Sequence, residues 1–80
     1  MSTERIIKLI WDFRGPDANK TAEHHAIHLE QYKEKHNVGH LTGHEHINEF
    51  YSLAYFAVKE SDMISVRDAL IPQRGELFEE

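Results

Sequence analysis

Eighty residues, no cysteine, seven histidines and a formal charge of −5 set the first bounds. A chain this short makes one α/β domain over residues 1–80 and hides only roughly 60–65% of its unfolded surface. It therefore needs a staple, and without cysteine that staple is a subunit interface or a histidine/carboxylate metal site.

Acidic residues outnumber basic ones fourteen to nine, and Glu76, Glu79 and Glu80 crowd the end of the chain. That balance argues against nucleic acid as a partner, because phosphates would be repelled. The seven histidines exceed the five-charge deficit, so titration near pH ~6.5 would reverse the sign of the surface in mild acid. Met1-Ser2-Thr3-Glu4-Arg5 leads into a short apolar run broken by Lys8 and Asp12. Neither a signal segment nor a membrane span fits that pattern, and a cytoplasmic protein without a membrane partner is expected.

Ile6 to Phe13 reads as a strand, being short, β-branched and aromatic. One face carries Ile7, Leu9, Trp11 and Phe13, and the other carries Ile6, Lys8, Ile10 and Asp12. Arg14-Gly15-Pro16-Asp17 punctuates, with Pro16 suited to the first turn of a helix. The helix that follows presents Ala18, Ala22, His25, Leu29, Tyr32 and His36 at alternating steps of four and three, which is one buried stripe. Asn37-Val38-Gly39 ends it, asparagine or glycine suiting a left-handed cap.

From His40 the period becomes two. Leu41 to Ile47 alternates as a strand, Asn48-Glu49-Phe50 makes a turn, and Tyr51 to Val58 is a strand apolar on both faces. Ser61 offers an N-cap for a second helix running through Ile71, with Met63, Val66 and Leu70 inward and Pro72 as the stop. Glu76-Leu77-Phe78 is a short edge strand or a docking tail.

The order is β-α-β-β-α-(β), an α+β pattern of the ferredoxin-like kind. Two helices cover one face of such a sheet, and the other face, apolar in the first and third strands, is expected to find cover in a second copy. The arrangement resembles the dimeric α/β-barrel superfamily, in which two ferredoxin-like subunits pack sheet to sheet. Within it, His28-Leu29 is similar to a His-Leu step of the YciI-like branch. That branch also pairs its helix histidine with an aspartate, and Glu45 lies only in roughly the comparable region here. The resemblance implies a homodimer with a small-molecule ligand held between helices and sheet.

The residues suggest two chemistries. His24 and His28 are spaced to present two imidazoles from one helix face, and His44 and His46 do the same on a strand. Were helix and strand to face each other, the four would suit zinc, nickel or copper. Alternatively, His25 or His28 serves as an acid/base group in a cleft beneath the first helix, walled by Trp11, Tyr32, Tyr55 and Phe56. Arg14, before a helix N-terminus, stands where a carboxylate or phosphate would settle, or pairs with Asp17 in a turn. The competing reading is a non-enzymatic interaction module whose histidines are structural or tune assembly with pH.

Overall fold

Alternating apolar residues extend the chain from Ile6 to Arg14 as β1, and Gly15, at φ 119°, turns it out of the strand. The computed structural model describes residues 5–78, so Met1–Glu4 and the acidic pair Glu79 and Glu80 lie outside the described residues. After β1 come α1 (Ala18–His36), β2 (Leu41–Asn48), β3 (Tyr51–Lys59), α2 (Glu60–Leu70) and β4 (Arg74–Leu77). The four strands form one antiparallel sheet in the order β2-β3-β1-β4. This α+β architecture is compatible with the ferredoxin-like pattern. Among the described residues, no helix is long and apolar enough to cross a membrane.

The pleat of β1 divides the molecule. Direct cross-strand partners share a face, so Ile7, Leu9, Trp11 and Phe13 join Val58, Phe56, Ala54 and Ser52 on the side covered by the helices. Ala26 and Leu29 of α1 and Val66 of α2 close the core there. The stripe of α1 differs from the sequence expectation in one respect. Its buried residues are Ala18, Ala22, Ala26 and Leu29, while His25 and Tyr32 are half-buried and His36 is exposed. Small alanines let the helix backbone lie close to the sheet, which leaves the larger rings at the margins.

The ends of α2 also differ. It starts at Glu60 rather than after Ser61, because the Glu60 amide donates to the Arg5 carbonyl at 2.9 Å. Glu60 and Asp62 then set negative charge in the first turn, favourable at the positive end of a helix. The helix stops at Leu70, and Ile71, the residue before Pro72, adopts a left-handed conformation at φ 49°. At the matching place on α1 stands Asn37, at φ 50°, a residue better suited to it. The last strand begins at Arg74, two residues before the expected one, and Phe78 lies just past it.

The sheet's second face carries no helix, yet Ile10 and Leu53 on it are buried within the chain, while Ile6 and Leu41 are half-buried. Ile10 is 1% exposed and Leu53 is 5% exposed. Ile10 lies between its partners Tyr55 and Arg74, and Leu53 between Asp12 and Glu45. Lys8 reaches over the Tyr55 ring at 4.5 Å, and Arg14 stacks on Tyr51 at 4.3 Å. Long amphipathic stems thus shield part of this face.

Ile71 supplies a direct check. A β-branched residue in the left-handed region is strained, and this side chain is 71% exposed with little packing to lose. Ile71→Gly should raise the urea unfolding free energy by about 1 kcal/mol, and a fall would contradict the strain argument.

Candidate functional site

The helix face holds most of the histidines, but it does not gather them. His24 and His28 are exposed on α1, and His24 borders a shallow depression with Asp17, Lys20 and Thr21. His44 and His46 lie opposite Ala54 and Ser52, which puts them on the helix face of the edge strand β2, both exposed. Among the described residues, no three histidine, aspartate or glutamate side chains converge as a metal site requires. Correct spacing on each element is present; convergence between elements is not.

His25 is a different case. Its ring lies 5.0 Å from that of Trp11 and 5.5 Å from that of Phe13. Its Nε2 is buried without a hydrogen-bond partner, as is Oγ of Ser52, the residue directly across from Phe13. Burial holds the imidazole pKa below its ordinary value, and the nearby His28 adds to the effect. The ring therefore favours its neutral form and serves as an aromatic wedge.

The four residues expected to bind a ligand are separated by the sheet. Trp11 and Tyr32 are on the helix side, where the Trp11 indole N–H donates to the Leu70 carbonyl at 3.0 Å and Tyr32 packs on His36 and Phe56. Arg14 and Tyr55 are on the open side, under and over the cation–aromatic stacks already described. Arg14 makes no ion pair with Asp17 among the described residues; its guanidinium rests on Tyr51 instead.

A polar cluster that sequence reasoning missed lies on the open face, at the β4 side of the sheet. Arg74 donates to both oxygens of Asp12, from Nε at 3.0 Å and from Nη2 at 3.1 Å. The Tyr51 hydroxyl donates to Asp12 at 2.5 Å, and Arg74 Nη1 reaches Glu76 at 2.6 Å. The Arg74 hydrogen bonds pull the Asp12 carboxyl below its usual range, while the adjacent carboxylate raises the Tyr51 phenol. The available signal was Asp12 itself, a lone carboxylate within an apolar strand.

A largely apolar concavity lies elsewhere, between α2 and β4, with a volume of about 370 Å³. Ile7, Leu9, Met63 and Leu77 make its apolar lining, and Arg67 stands at the rim. Gly75 keeps it open: on the helix face opposite Leu9, it has no side chain to fill the space above β1. Among the described residues Arg67 pairs with its neighbour Asp68, at 3.3 Å and largely in solvent, a pairing of little strength. No family model, curated protein or solved structure matches the chain.

The sign of the pH dependence follows from His25. Unfolded imidazoles titrate near pH ~6.5, and the folded value is lower. The unfolded state therefore takes up the proton first, and stability contributed by neutral His25 is lost as pH falls from 6.5 towards the folded value. His25→Phe should flatten the decline in unfolding free energy between pH 7.5 and 5.5. It should also add about 1 kcal/mol at pH 7.5 by removing an unpaired buried nitrogen. An unchanged slope would show that His25 is not the group responsible.

Proposed function

We propose that the protein is a small-ligand-binding module that works as a homodimer, with the groove between α2 and β4 as its ligand site. The observation that carries this reading is the groove's chemistry. It offers an apolar floor of Ile7, Leu9, Met63 and Leu77, with Arg67, Gln73, Arg74 and Glu76 also contributing to its lining, an apolar body with polar groups at the margin, as in sites for small organic molecules. At about 370 Å³ it has room for about a dozen waters, which suits a compact, largely apolar ligand. This reading puts the cleft beneath α2 in place of α1 and treats the histidines as packing and surface groups.

The homodimer follows from the resemblance to dimeric α/β barrels and from the small size of the chain. Sheet-to-sheet pairing is the form the resemblance implies, and the placement of both helices on one face favours it. The shielding of Ile10 and Leu53 weighs against it.

Filling the groove tests the ligand site. A Cβ at Gly75 would meet Ile7 and Leu9 at 3.6 Å, an ordinary contact, so Gly75→Leu should fold and occupy the space. With anilinonaphthalene sulfonate as probe, the wild-type protein should enhance the dye's fluorescence and Gly75→Leu should lose most of the enhancement. Equal fluorescence from the two, with matching circular dichroism, would place dye binding elsewhere and overturn the reading.

A further inference from the structure

The two edges of the sheet are protected unequally. β2 has a register break between His46 and Asn48 and carries His44, Glu45 and His46. It is also tied to α1 by the Thr42 hydroxyl donating to Glu30 at 2.7 Å. A bulge and a charged side chain such as Glu45 work against pairing at an edge.

β4 has no such break, and although it is short, its charges Arg74 and Glu76 are of opposite sign. Its register with β1 runs unbroken from Arg74 to Leu77, it holds neither proline nor lysine, and all of its residues are exposed. The Phe78 amide donates to the Ile6 carbonyl at 2.8 Å. Antiparallel alternation then turns the amides of Glu76 and Arg74 towards β1 and those of Gly75 and Leu77 outward. Beside these outward groups stand two large apolar side chains, Ile71 at 71% and Leu77 at 52% exposed.

We propose that β4 pairs antiparallel with β4 of a second copy about a two-fold axis at Gly75, joining two sheets into one of eight strands. This rests on the homodimeric state put forward above, not on the groove's ligand. Residues directly opposed across a ladder share a face, so the axis must pass through a residue. At Arg74 it would oppose two guanidinium groups, and at Glu76 two carboxylates, both unfavourable. At Leu77 it would run past the end of the strand. At Gly75 it sets Arg74 against Glu76 of the second copy twice, once on either side of the axis. It also brings Leu77 against Gln73 of the second copy, next to its exposed Ile71. The two opposed glycines exchange their outward N–H and C=O groups.

Sedimentation of three proteins tests this. The wild type should have the mass of two 9.4 kDa chains. Gly75→Pro removes an outward amide and should weaken dimerisation about tenfold or more, whereas Tyr55→Glu, on the open face, should leave the mass unchanged. A monomeric wild type up to millimolar concentration would overturn the pairing and the homodimer together. A dimer that survives Gly75→Pro but is lost in Tyr55→Glu would overturn this pairing alone. Should Gly75→Pro fail to fold, Gly75→Cys decides. The chain has no other cysteine, and opposed residues about 5.5 Å apart lie within disulfide reach. A disulfide-linked dimer under mild oxidation supports the Gly75 axis, and its absence overturns it.

Discussion

Trp11 and Asp12 are consecutive residues of β1 that face opposite ways, and together they hold the stretch from Leu70 to Arg74. On the helix side the Trp11 indole donates to the Leu70 carbonyl. On the open side Asp12 takes two hydrogen bonds from Arg74 and one from Tyr51. Between them, the backbone N–H of Asp12 donates to the Gln73 side chain, and the Gln73 amide donates to the Ile10 carbonyl. Hydrogen bonds to charged groups contribute about 1.5–3 kcal/mol each. Arg74 is partly exposed and Asp12 mostly covered, so solvent screening sets this pair nearer the lower figure.

This clasp matters because α2 and β4 are otherwise fastened by the short β1–β4 ladder and a few apolar side chains. α2 fully buries only Val66, and every residue of β4 is exposed. By contrast β1 and β3 are paired along their whole length and carry most of the core. The groove lies within the thinly packed region, between an element held by few apolar contacts and a strand whose central residue lacks a side chain. Regions of low local stability are where ligand sites and partner contacts commonly lie, and the exposed Ile71 and Leu77 fall there too.

Much of the fold was legible because pattern and packing agree. The parity of β1 separates Leu9 and Trp11 from Ile10 and Asp12 in the sequence as it does in the sheet. Asn37-Val38-Gly39 ends α1 as read, with Asn37 left-handed and Gly39 lying where any Cβ would run into the Phe56 ring. The candidate site was less legible. Spacing along one element tells which face a histidine occupies but not what stands opposite, so His24 with His28 and His44 with His46 form pairs without meeting. Cover over Ile10 and Leu53 comes from cross-strand neighbours distant in sequence, and no periodicity reveals it. The groove depends on Gly75 facing Leu9, a matter of register that becomes visible only when β4 is paired.

The Trp11–Asp12 clasp fastens the C-terminal elements to the rest of the sheet. Native-state hydrogen exchange of Asp12→Ala tests it most directly. The inward amides of β4 and the last turn of α2 should lose protection, while those between β2 and β3 keep theirs. Equal loss at every amide would instead mean that Asp12 supports the fold as a whole, and the account of a separately held C-terminal unit would be wrong.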